Sequence, residues 1–168
     1  SGKGYAQRTW WNHESWPTTG NPGGSHGGRA GINTSTAESN PVYGNLYDPD
    51  TPGAGGYLGA GGGVIRLQVT DTLTVHGEIN ADAELASNGS RSGAGGSIAI
   101  RTDVLVGDGT IHANGAQYNN SSYGSGSGGR IAVLDYSALA GAFDTSASAT
   151  DFGMEAFGGN GNRDGAAG

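Results

Sequence analysis

Gly62-Gly63-Val64-Ile65-Arg66-Leu67 returns as Gly95-Gly96-Ser97-Ile98-Ala99-Ile100 and again as Gly128-Gly129-Arg130-Ile131-Ala132-Val133. The steps from Gly62 to Gly95 and from Gly95 to Gly128 are both 33 residues. A constant period of this size means stacked supersecondary units rather than one globular core. In the first unit Ile65, Leu67 and Val69 alternate with Arg66 and Gln68, the two-residue period of a strand with one buried face. Leu73 and Val75 alternate with Thr72 and Thr74, and after Gly77 the pattern resumes with Ile79 and Ala81 between Glu78, Asn80 and Asp82.

The second unit repeats the scheme with Ile98 and Ile100, then Val104-Leu105-Val106, then Ile111 and Ala113. Leu73 to Leu105 and Ile79 to Ile111 are steps of 32, so one residue is lost after the first strand. The third unit starts with Ile131 and Val133 and drifts through Tyr136, Leu139 and Phe143. Three short strands per repeat, each with one inward face, predict an all-β chain, specifically a parallel β-helix, a solenoid with coils of about 33 residues. Its expected core ladder is Ile65, Ile98 and Ile131, beside Leu67, Ile100 and Val133, with Ile79 over Ile111. A sandwich of hairpins would use turns such as Asp108-Gly109 and Asn114-Gly115, but gives no reason for the same block to return at a fixed period. The excursions Glu84–Ala94 and Ala116–Ser127 are expected to project from one side. Met154-Glu155-Ala156-Phe157-Gly158 reads as a fourth echo of Ile111-His112-Ala113-Asn114-Gly115, and Gly165–Gly168 as the lead-in to another coil. The chain opens Ser1-Gly2-Lys3 without Met and is expected to be a processed product or a piece of something longer.

The rest of the chain reads as one domain of 168 residues: an irregular, aromatic and Gly-rich N-terminal segment over 1–61, then coils over 62–168. Glycine accounts for 35 residues, concentrated between the apolar runs, which argues against helix and suits positive-φ turns and close backbone packing. Charged residues are 14% and the net charge is −7, the wrong balance for a nucleic-acid surface. There is no Cys, so no disulfide or thiol chemistry, and no apolar run reaches the roughly 18 residues of a membrane span, so no membrane insertion is expected.

Gly95-Gly96-Ser97-Ile98-Ala99-Ile100, Gly107-Asp108-Gly109-Thr110-Ile111-His112-Ala113-Asn114-Gly115 and Gly126-Ser127-Gly128-Gly129-Arg130-Ile131-Ala132-Val133 together resemble the glycine-rich repeats of very large secreted or surface-anchored bacterial proteins. Tyr43-Gly44-Asn45-Leu46-Tyr47-Asp48-Pro49 is similar to the lead-in such regions carry. The resemblance covers roughly residues 20–168. It implies an adhesive or structural role at an extracellular or cell-surface location and assigns no catalytic residues.

Several side chains invite chemistry. His76 and His112 are expected to face outward, His76 level with Asp108 and His112 level with Asn80. Asp71, Asp82, Asp103 and Asp108 fall at coil turns. Pectate-lyase-like β-helix enzymes gather acidic Ca²⁺ ligands beside a basic residue on one outer face; here Arg66 and Arg101 sit in different registers, and no stacked acidic row with an adjacent Arg emerges. No cofactor is expected, with Ca²⁺ on a turn carbonyl and an Asp as the alternative. Gly158-Gly159-Asn160-Gly161-Asn162-Arg163-Asp164 approaches a calcium nonapeptide with its Asp one place late. In Trp10-Trp11-Asn12-His13-Glu14-Ser15-Trp16 the indoles of Trp10, Trp11 and Trp16 are candidate carbohydrate-stacking groups, with His13 and Glu14 as acid and base; the competing reading is a cap that covers an end or flank of the coil.

Two functions follow. The first is non-enzymatic: a subunit or segment of an extracellular filament, adhesin or matrix, self-associating end to end. The alternative is a polysaccharide-binding or polysaccharide-degrading β-helix module, which rests on analogy of fold and on the Trp cluster.

Overall fold

The computed structural model of the protein describes residues 3–10, 14–15 (backbone only), 22–32, 38–57, 59–84, 92–117, 123–145, 153–161 and 163–168. Near the N-terminus β1 (Thr9–Trp10) and β2 (Glu14–Ser15) pair antiparallel. The first repeat gives β3 (Val64–Gln68), β4 (Thr72–Val75) and β5 (Glu78–Asn80). The second gives β6 (Ser97–Arg101), β7 (Val104–Gly107) and β8 (Thr110–His112). The third gives β9 (Arg130–Leu134), β10 (Ala138–Leu139) and β11 (Met154–Glu155), with a 3₁₀ turn at Gly141–Phe143. The fold is thus nearly all β.

The nine repeat strands form three parallel three-stranded sheets, β3-β6-β9, β4-β7-β10 and β5-β8-β11. Each sheet takes one strand from each repeat, with the second repeat in the middle. The register matches the sequence offsets. Ile65, Ile98 and Ile131 align, as do Leu67, Ile100 and Val133. Leu73, Leu105 and Leu139 align in the second sheet, and Ile79, Ile111 and Met154 in the third. These side chains share one apolar cluster with Phe143 from the 3₁₀ turn. Ile98, Ile100, Leu105 and Ile111 of the middle level are 0% exposed, whereas their partners in the first and third levels are only partly buried. Full burial of such a side chain contributes about 1.5–3 kcal/mol.

The echo read at Met154–Gly158 has the register expected of it, since Met154 and Glu155 pair with Ile111 and His112; it completes the third level, however, and is not a fourth. Ala138–Leu139 is its second strand, and the long stretch between them masks the period.

The glycine runs are also more than turns. Among the described glycines only Gly44, Gly107 and Gly141 have φ in the left-handed region. Most of the others, though not Gly77, stand where segments touch backbone to backbone. A Cβ on Gly62, Gly95 or Gly128 would collide with the carbonyl oxygen of Ala81, Ala113 or Ala156, respectively. The amides of Gly96, Gly129 and Gly168 donate to the same three carbonyls at 2.8, 2.7 and 2.9 Å. Along 125–129 successive amides donate to Arg163, Ala116, Gly24, Ala166 and Ala113, so two of the directions recur after three residues. That is the periodicity of an extended, polyproline-II-like chain, which has no internal hydrogen bonds and bonds only to neighbours. Segment 92–96 likewise bonds to Gly24, Ala54, Gly62, Ala81, Ala116 and Ser127. The excursions expected to project therefore return into a buried glycine bundle at both 92–94 and 124–127.

Candidate functional site

The densest group of ligating side chains among the described residues lies on the outer side of β5-β8-β11. Alternation turns Ile79 and Ala81 inward, leaving Glu78, Asn80 and Asp82 on the other side. Register sets His112 beside Asn80 and Glu155 beside His112. Asx side chains then fix the corner that follows the strands. Asn80 Oδ1 accepts from the Asp82 amide at 2.7 Å, Asp82 Oδ1 accepts from the Asn114 amide, and Asn114 Oδ1 accepts from the Phe157 amide at 2.7 Å. This side-chain ladder climbs from one level to the next.

Glu78, Asp82 and His112 each offer one ligand atom, and the three atoms lie within 4.8 Å of one another. His112 Nδ1 stands 3.4 Å from Glu78 Oε1, and Asn80 Nδ2 donates to the same Glu78 oxygen at 2.6 Å. Burial raises the Asp82 pKa above its ordinary value; the Asn114 amide and His112 oppose the shift, and Glu78 adds to it. Two carboxylates and an imidazole so placed can hold a divalent cation. Asp82 and His112 were each singled out in the sequence as isolated candidates. Glu78 was not, although the 32-residue offset that sets His112 beside Asn80 brings the three together.

The other candidates separate. His76 Nδ1 meets Asp108 Oδ1 at 2.6 Å on an exposed corner, and this bond holds the Asp108 carboxyl below its usual range. Asp71 contributes its carbonyl, which accepts from the Thr102 hydroxyl at 2.7 Å, and Asp103 is exposed. Arg66 faces Ala99 and Arg101 faces Gln68, in different registers as read. Asp48 nevertheless joins them, 3.0 Å from Arg66 and 3.3 Å from Arg101, and Asp135 lies 2.7 Å from Arg101. Nothing in the sequence period pointed to Asp48, because it comes from the irregular segment before the repeats.

Trp10 packs edge-on against Tyr43 with ring centres 5.6 Å apart, and Tyr43 in turn touches Tyr5 and His26. Trp11, Trp16 and His13 lie outside the described residues, as do the side chains of Glu14 and Ser15. Below Tyr43 sits a buried polar network that the sequence reading missed. His26 is fully buried, its Nδ1 2.8 Å from the Gly95 carbonyl and its Nε2 3.1 Å from the Thr51 hydroxyl. Its amide donates to Ser127 Oγ, and Ser97 Oγ donates to the Thr51 carbonyl at 2.6 Å. Asn40 holds both the amide and the carbonyl of Ser25 at 2.8 Å. Arg130 donates to the Tyr43 carbonyl at 3.0 Å. This network ties Ser25, His26, Asn40, Tyr43 and Thr51 to the second and third repeats; a lone His inside a glycine run was its only sequence signal.

Among the described residues no helix is long and apolar enough to cross a membrane. Comparison with protein families, with curated proteins and with solved structures returns no match to this chain.

Proposed function

We propose that the three sheets are the sides of a parallel β-helix, and that the protein is a non-enzymatic structural segment of an extracellular or cell-surface filament, adhesin or matrix. In this reading copies stack end to end. One observation carries it: the middle level of the core is sealed while both outer levels are not. Ile98, Ile100, Leu105 and Ile111 are 0% exposed, but Ile65, Leu67, Leu73 and Ile79 on one side and Ile131, Val133, Leu139 and Met154 on the other are only partly buried. Each end also offers a row of strand edges, the feature through which sheets recruit further strands. The two ends present equivalent strands, β3, β4 and β5 at one and β9, β10 and β11 at the other. A head-to-tail contact of this kind propagates unless rotation closes it.

The test is the association state of the purified chain, by light scattering across a concentration series and by electron microscopy. Filaments or concentration-dependent oligomers are expected. Ile79→Lys at one end or Met154→Lys at the other should each abolish growth while leaving a folded monomer. A wild-type chain that stays monomeric at high concentration would overturn the reading.

A polysaccharide-binding role is the second reading, favoured by the partly exposed Trp10 beside Tyr43 and Tyr5. It predicts retention on a polysaccharide matrix that is lost when Trp10, Trp11 and Trp16 are replaced by Ala. Retention unchanged by those replacements would remove it.

A further inference from the structure

We propose that Glu78, Asp82 and His112 form a binding site for a divalent transition-metal ion of the zinc class, linking the first repeat to the second. The inference goes beyond the structural role and does not depend on it.

The spacing of the ligand atoms is the first argument. His112 Nδ1 and Glu78 Oε1 are 3.4 Å apart. A charged N–H···O bond is usually about 2.7–2.9 Å, so the pair stands wider than a good hydrogen bond. Two ligands on one tetrahedral zinc, each bonded at about 2.0–2.2 Å, are separated by roughly 3.3–3.6 Å. The pair already has the spacing that a shared ion sets. The third atom, from Asp82, completes a group with no separation above 4.8 Å.

The support is the second. Glu78 and Asp82 belong to one strand and its corner, His112 to the neighbouring strand, and the two strands are locked in parallel register. Asp82 Oδ1 is held by the Asn114 amide, which leaves Oδ2 for a ligand. Glu78 is steadied by Asn80. A site built on paired strands and fixed by outer hydrogen bonds meets the general requirement for a preorganised metal centre.

Charge is the third. Two carboxylates face one imidazole, and a third carboxylate, Glu155, is level with His112 on the next strand. Among the described residues, the charged groups that act on Asp82 are His112 and Glu78, neither of them a Lys or Arg. The cluster therefore carries net negative charge on a partly buried surface, where a cation compensates it.

The donor set selects the class. One imidazole nitrogen with two carboxylate oxygens suits Zn²⁺ and its first-row neighbours, whereas Ca²⁺ takes six to eight oxygens and Mg²⁺ a near-ideal octahedron rich in water. Water would fill the remaining position. Binding uses the unprotonated imidazole nitrogen of His112.

The test is calorimetric titration of the chelator-stripped intact chain with Zn²⁺ alone, with Ca²⁺ as the comparison. One saturable Zn²⁺ site per chain is expected, with no comparable Ca²⁺ uptake. His112→Gln and Glu78→Gln should each weaken it at least about tenfold, with melting curves of the metal-free variants confirming that they fold. His76→Gln and His13→Gln should leave it intact. X-ray absorption at the zinc edge should report a nitrogen–oxygen shell. Zn²⁺ binding that survives His112→Gln, that disappears in His76→Gln or His13→Gln, or that never saturates would overturn the proposal.

Discussion

Acid should loosen this protein through one buried ring. His26 is fully buried, and burial lowers its pKa from 6.5 to about 4; the Gly95 hydrogen bond opposes the shift and the Arg130 charge adds to it. Between those two values the unfolded chain binds a proton that the folded chain refuses. Stability therefore rises with pH across that window. The contribution is complete above 6.5 and is lost progressively as the pH falls towards 4. At about 1.4 kcal/mol for each tenfold difference in proton affinity, the whole step is about 3 kcal/mol, a large share of the roughly 5–15 kcal/mol that holds a domain together. Asp108 is separable, since its lowered pKa matters only below 3.8, and the raised pKa of Asp82 acts in the opposite direction. The assay is urea unfolding at about pH 7.5 and about pH 4.5 for the wild type and His26→Gln. The wild type should lose a few kcal/mol; the variant should start less stable and show a flatter profile. Should the variant fail to fold, the His26 ring signals in the wild-type NMR spectrum should titrate well below pH 6.5. An equal acid slope in both proteins, or a His26 ring that titrates normally in the folded state, refutes the reasoning.

Three further outcomes are expected. Ile111→Ala, in the sealed middle level, should cost about 2–5 kcal/mol by chemical denaturation, and Ile79→Ala, its partly exposed partner, clearly less; equal costs would contradict the difference in burial between the levels. Gly95→Ala drives a methyl into the Ala113 carbonyl and should destabilise strongly, whereas Gly77→Ala meets nothing within 4 Å and should be neutral or gain a few tenths of a kcal/mol in a thermal melt. Asn114→Ala removes the acceptor of the Phe157 amide, costing about 0.5–1.5 kcal/mol, and hydrogen exchange at Phe157 should quicken while that at Ile111 is little changed.

The register of the sheets was legible because the inward positions of the first two repeats are filled by Ile, Leu and Val at a fixed offset. Ile65 over Ile98 over Ile131 needs only counting. The third repeat was harder to read. Its second strand is two residues of weak β character, Ala138–Leu139, and a long insertion precedes Met154, so the period breaks before the fold does. The glycine runs showed that backbones approach closely but not which ones, since a residue without a side chain carries no face and no register. His26 and Asp48 escaped for the same reason: they reach the repeats from an irregular segment with no period to count along. The Glu78, Asp82 and His112 group lay between these cases. Its members were visible singly, and the 32-residue offset joins them once it is applied to outward positions as well as inward ones.

The glycine bundle has a thermodynamic consequence. It buries peptide groups against peptide groups, with hardly any apolar side chain between them. Exposing apolar surface raises the heat capacity of a chain and exposing polar surface lowers it. A protein whose interior is so largely backbone should unfold with a heat-capacity increment below the roughly 12–15 cal/mol/K per residue of ordinary domains. Its stability curve would then be shallow, with little lost on cooling, since less of its cohesion depends on a hydrophobic effect that weakens in the cold.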